Sequence, residues 1–130
     1  MIFKTMDLPE AYERAPDGSL IQPLHEYEEG SVVHCTLPEA RVSRAARHGT
    51  VSEIWYFIKE EGELWRRLGD REETVRVGPG VSVTIPVDIG FQFRNTGSGP
   101  LRFICVTMSR WPGYGEAEFV EGPWEPSLPD

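Results

Sequence analysis

The sequence predicts an all-β chain closed as a sandwich or jelly-roll barrel. About eight short segments alternate apolar and polar residues at period two, turn residues separate them at regular intervals, and no long helical pattern intervenes. With 13 Gly and 11 Pro in 130 residues, the composition suits short strands and tight turns. A chain of this length forms one domain and buries roughly two-thirds of the surface its unfolded form exposes.

Residues 1–30 read as an N-terminal arm, 31–108 as the barrel and 109–130 as a C-terminal extension. In the arm, 7–14 is expected to form a short helix, with Asp7 or Leu8 at the cap and Pro9 in the first turn, where its missing N–H has no helical partner. Pro16-Asp17-Gly18 turns the chain, 19–24 forms a short strand or extended arm, and 26–30 is an acidic loop. The first barrel strand, 31–37, puts Val33, Cys35 and Leu37 on one face and Val32, His34 and Thr36 on the other.

The strongest strand is 53–58, where Glu53 leads into an unbroken apolar run. Gly62 turns it into 63–68, and Gly69-Asp70 is a hairpin signal before 73–77. Gly78-Pro79-Gly80 precedes 81–85, where Val81, Val83 and Ile85 alternate with Ser82 and Thr84. Phe91 and Phe93 alternate with Gln92 and Arg94 in the same way, and 95–100 turns into the last strand, 101–108. From Arg110 onward, isolated aromatics in a Pro-, Gly- and acid-rich tail suit a segment draped over the domain or left disordered.

A net charge of −8 disfavours nucleic acid and anionic membranes as partners. No apolar run reaches the ~20 residues of a membrane span, and the N-terminus lacks a signal-peptide core, so a cytoplasmic protein is expected. Cys35 and Cys105, each within a strand, are then expected as buried free thiols.

Two stretches resemble the cupin family, whose motifs are G-x5-H-x-H-x3-4-E-x6-G and G-x5-P-x-G-x2-H-x3-N. Aligned on Glu53, His48 takes the place of the second histidine, while Gly62 falls two residues late and Glu60 stands at the motif glycine. Gly80, Pro86 and Asn95 match the second motif, so the resemblance spans 31–108 and implies a double-stranded β-helix. It also implies a metal held by three histidines and a glutamate. Here Ala46 replaces the first histidine, Phe91 the third, and Asp88 the glycine of the second motif. Two donors rarely hold a divalent ion against water, so no cofactor is expected. The alternative is one divalent metal ion on His48, Glu53 and His34, the last joining if its side of the strand faces the cavity.

With Glu53 inward, Trp55 and Phe57 follow it, and Phe91 and Phe93 face the same interior. The pocket expected is aromatic, with His48 and Glu53 as a candidate proton-transfer pair; Phe57 and Phe93 either line it or fill the barrel. His34 is a further candidate ligand contact, and Arg67, beside Arg66, a possible anion grip. Such a pocket suits a small apolar or aromatic molecule with a polar group. Metal-free isomerase, epimerase or cyclase chemistry, as in cupin-like sugar epimerases, stands beside a mononuclear metal enzyme of the dioxygenase type and a non-catalytic binder. Ile54, Tyr56 and Ile58 leave the outer face of the same strand apolar, which calls for cover by a homodimer partner or by the N-terminal arm.

Overall fold

In the computed structural model, which describes residues 3–112 and 114–128, eleven strands alternate with turns. They are β1 (Glu13–Arg14), β2 (Leu20–Tyr27), β3 (Gly30–Leu37), β4 (Ala46–His48), β5 (Ser52–Lys59), β6 (Gly62–Leu68), β7 (Arg71–Val77), β8 (Ser82–Ile85), β9 (Gly90–Asn95), β10 (Leu101–Met108) and β11 (Ala117–Phe119). Two antiparallel sheets face one another, in the orders β1-β2-β3-β10-β5-β8 and β11-β4-β9-β6-β7. This is a jelly-roll barrel, as the strand spacing predicts. No described helix is long and apolar enough to cross a membrane.

The expected helix over 7–14 does not form. Glu13 and Arg14 pair with Ile21 and Leu20 instead, and the only helical turn among the described residues is a 3-10 turn at Tyr114–Glu116. A helix this short is marginal in water, whereas extension gains backbone bonds at a sheet edge.

The register assigns every inward side chain. Glu53, Trp55 and Phe57 stand opposite Thr107, Cys105 and Phe103 of β10, which stand opposite Ser31, Val33 and Cys35 of β3. All nine are buried or nearly so, because a period of two sends one whole set of each strand to the core. Trp55 is the hub, with its ring within 6.2 Å (centroid to centroid) of Phe57, Phe91, Phe93 and Phe103.

The C-terminal extension is laced onto the second sheet. Val120 N donates to Ala45 O, and Val42 and Ser127 exchange two backbone bonds. Gln92 points away from the core yet is fully buried, because its amide bonds Ser43 O, Trp124 O and Trp124 N.

Ala40, Glu60 and Asp88, which stand at three of the four motif glycines, have φ of 63°, 66° and 67°. The left-handed turns survive the loss of glycine, each at a cost of about 1 kcal/mol. The Asp88 turn is tied to the site, since its N–H donates to the carbonyl of His48.

The arm does not cover the outer face of β5. Its strand β2 lies beside β3, separated from β5 by β3 and β10, and Ile54, Tyr56 and Ile58 remain 39–49% exposed.

Candidate functional site

Glu53 opens β5 as its first inward residue, and His48 closes β4 on the facing sheet. Their side chains meet with His48 Nε2 3.5 Å from Glu53 Oε2, and each is 6% exposed. The other carboxylate oxygen accepts the indole N–H of Trp55 at 2.8 Å. A buried carboxylate is tolerated only with such partners, and β5 supplies one of them from its own next inward position.

Burial alone would push the His48 imidazole down. The hydrogen bond and charge of Glu53, with the charges of Asp17 and Glu116, outweigh it and raise the pKa above the usual histidine value. The ring is wedged between Phe91 and Trp111, each at 5.3 Å, and its Nδ1 is buried without a partner. Burial favours the neutral form of Glu116, but hydrogen bonds from Thr50 and Val51 prevail and lower its pKa. Its carboxylate thus clasps the loop that follows His48.

Between the sheets, above this pair, lies a cavity of about 170 Å³, walled by Asp17, Ser19, Ile21, Pro23, Ser31, Val33, Cys35, His48, Glu53, Trp55, Phe91, Phe103, Thr107 and Trp111 among others. A cavity of roughly 150 Å³ accommodates benzene, so the enclosed space suits a molecule of one ring. Burial drives the Asp17 carboxyl up and the Glu53 charge adds to this, against the opposing hydrogen bonds from Ser19. The two cysteines are free and buried. Their mutual hydrogen bond and burial hold Cys105 well above the usual thiol range, so it is no ready nucleophile.

Four of the expected site residues, His48, Glu53, Trp55 and Phe91, come together at this cavity. Phe57 and Phe93 are fully buried and fill the barrel beneath it. His34 is a correction. It faces away from the cavity, opposite Ile104, with Nδ1 2.9 Å from Gln22 Oε1, and burial and the Arg102 charge lower its pKa. The apolar set Val33, Cys35 and Leu37 claims the interior, and alternation then sends His34 outward. Arg67 lies away from this cavity, beside Arg66 in a separate surface depression. It is exposed on β6, over the ring of Trp65 at 5.7 Å, because Trp65 and Arg67 share the outward parity of β6.

Sequence reasoning missed Asp17 and Trp111, which reach the wall from outside the barrel strands. Asp17 had no signal beyond its turn, whereas Trp111, one aromatic just past the last strand, could have been suspected of folding back.

The donor set does not fit the metal of the family pattern. Ala46 and Phe91 face each other across β4 and β9 at the two replaced positions, and His34 is on the other side of its sheet. No group of three His, Cys, Asp or Glu able to hold a metal exists among the described residues.

Among solved structures, the chain is similar to CapF, the capsular polysaccharide assembling protein of Staphylococcus aureus, at 18% identity and a TM-score of 0.75, covering 88% of this chain and 35% of that one. It is similar to oxalate decarboxylase from Bacillus subtilis at 16% identity and a TM-score of 0.66, covering 73% and 27%; that enzyme has Mn(II) centres. A Bacillus halodurans protein matches at 16% identity and a TM-score of 0.66, covering 81% of this chain and 78% of that one. The chain thus spans about a third of the CapF and decarboxylase chains, and at these identities the likeness is one of fold. No curated protein matches the sequence. The cupin-domain family model matches residues 32–107, more than half of the chain, with both degenerate motifs inside the match; the chain belongs to the cupin family.

Proposed function

We propose that this cupin binds a small, flat, largely apolar organic molecule with a polar group, and that His48 and Glu53 carry out metal-free proton transfer on it of the isomerase, epimerase or cyclase kind. The observation that carries the reading is the buried His48–Glu53 pair opening onto a ring-lined cavity in which the family's other two ligand positions hold Ala46 and Phe91. The carboxylate orients the imidazole and stabilises its charged form, and the imidazole exchanges the proton. Trp55 holds the carboxylate in place, while Phe91 and Trp111 keep water from the ring. CapF, one of the similar structures, is known with the inhibitor 3-isopropenyl-tropolone, a small organic molecule.

The same reading includes a homodimer through the outer face of the first sheet, supported by the exposed row Ile54, Tyr56 and Ile58 on a strand that is apolar on both faces.

The test combines elemental analysis of untagged protein with fragment screening by ligand-observed NMR. The reading requires ring-sized fragments that bind the wild type, lose binding on Trp55→Ala or Phe91→Ala, and do so with no stoichiometric metal present. Stoichiometric metal that disappears in His48→Gln would overturn it.

A further inference from the structure

We infer that the N-terminal arm is exchanged between two copies of this chain, residues 3–8 of each protomer lying across the outer face of β5 in the other. This rests on the dimer reading above and names what covers that face. The arm starts on the correct side of the molecule. Gln22, His34, Ile104 and Tyr56 form one row across the outer face of the first sheet, from β2 through β3 and β10 to β5. Gln22 anchors the arm at one end of the row. Its Nε2 donates to the carbonyl of Pro9 at 2.5 Å, and its Oε1 meets His34 Nδ1 at 2.9 Å. Beyond Pro9, residues 3–8 pair with no strand, and Phe3, Met6 and Leu8 are 81%, 40% and 46% exposed. At the other end of the row, Ile54, Tyr56, Ile58 and the neighbouring Met108 are 39–49% exposed.

In a single chain both apolar sets stay in water, because the arm leaves its own β5 bare. Together the seven side chains expose on the order of 600 Å² of apolar surface, comparable to the ~800 Å² that each partner brings to an interface of standard size. The dimensions fit as well. Three strand spacings separate Gln22 from Tyr56, about 14 Å, and six extended residues reach about 20 Å. A two-fold axis that turns the two outer faces toward each other lets each arm fill the other face, and such an exchange closes at two copies. Charge points the same way. Arg102 stands opposite Lys59 at the border of the apolar row, whereas the arm carries Asp7 and Glu10 against Lys4. Arg102, Lys59, Asp7 and Glu10 take no part in the ion pairs of the described residues. On a chain of net charge −8, a basic border beside an apolar row repels little and receives an acidic, apolar segment.

The test measures the dimer dissociation constant of the full chain by sedimentation over a dilution series, and maps the contact by cross-linking. Met6→Ser with Leu8→Ser is expected to weaken the dimer about a hundredfold. Arg102→Gln, and Asp7→Asn with Glu10→Gln, are each expected to weaken it roughly threefold to tenfold, and by less than the product when combined. For the contact itself, Met6→Cys and Tyr56→Cys proteins are mixed and treated with a short bismaleimide; the native cysteines are buried. Mass spectrometry is expected to find position 6 of one chain joined to position 56 of the other, a link that no single chain in the mixture can make. A dimer whose affinity is unchanged in the Met6→Ser, Leu8→Ser variant, or one that gives no such link, would overturn the exchange and leave the sheet-face dimer standing. A wild type that is monomeric at high micromolar concentration would overturn both.

Discussion

Trp55→Phe tests whether the indole N–H holds the Glu53 carboxylate. The substitution keeps an aromatic ring in the hub formed with Phe57, Phe91, Phe93 and Phe103 but removes the 2.8 Å bond to Glu53 Oε1. A hydrogen bond to a charged group contributes about 1.5–3 kcal/mol. The smaller ring leaves roughly 40 Å³ unfilled, and at about 24 cal/mol per Å³ this costs about 1 kcal/mol more. The sum, about 3 kcal/mol, is a large share of the ~5–15 kcal/mol that stabilises a domain of this kind, and corresponds to a fall in Tm of roughly 10 °C. Urea denaturation is the assay, with an unchanged m-value to show that the folded and unfolded states are comparable. A double-mutant cycle with Glu53→Gln isolates the pair and should return a coupling of at least ~1 kcal/mol. A Trp55→Phe cost below about 0.5 kcal/mol with no coupling would refute the idea that Trp55 positions Glu53.

Four shorter predictions accompany it. Because the folded-state pKa of His48 is raised, its contribution to stability is fully present below the unfolded value of about 6.5 and is lost as pH rises through the folded value. Glu53→Gln removes the largest source of that rise and leaves burial, which pushes the imidazole down, so the His48 Cε1–H titration by NMR should move down and the corresponding loss of stability with rising pH should shrink or reverse. Ala46→His combined with Phe91→His restores the family's four donors on β4, β5 and β9; the double variant should take up zinc stoichiometrically by elemental analysis where the wild type does not, after an overpacking cost of about 1–3 kcal/mol at Ala46. Tyr56→Asp on the outer face of β5 should convert a dimer to a monomer in size-exclusion chromatography with light scattering, and a wild type that is already monomeric removes the dimer proposal. Glu60→Gly, at a left-handed position, should stabilise the fold by about 0.5–1 kcal/mol in the same urea assay.

Much of this architecture was legible one strand at a time. Alternation along 53–58 and 91–94 placed Glu53, Trp55, Phe57, Phe91 and Phe93 inward, and the two partial motifs placed His48 against Glu53. The glycine departures were legible only as mismatches. That Glu60 and Asp88 keep the left-handed turn appears in the backbone angles alone, because residue identity weights a conformation without dictating it. The arm misled for a related reason. A capped helical pattern over 7–14 is a weak local preference, and pairing with β2 overrides it.

By itself, then, the sequence determined eight of the eleven strands, β2, β3 and β5 to β10 but not β1, β4 or β11, which of their faces turns inward, and that a histidine and a glutamate sit together where two further metal ligands are missing. The first two are short-range properties, set by a period of two within single segments; the third rests on the resemblance to the cupin motifs. Only the tertiary structure decided which inward residues border empty space and which are packed solid. Trp55 and Phe91 line the cavity while Phe57 and Phe93 lie beneath it, and His34 belongs to the opposite side of its sheet. It also decided that Asp17 and Trp111 complete the wall, for a contact between a turn before the barrel, a tryptophan beyond its last strand and a pair on β4 and β5 is produced by chain closure, which no local pattern records.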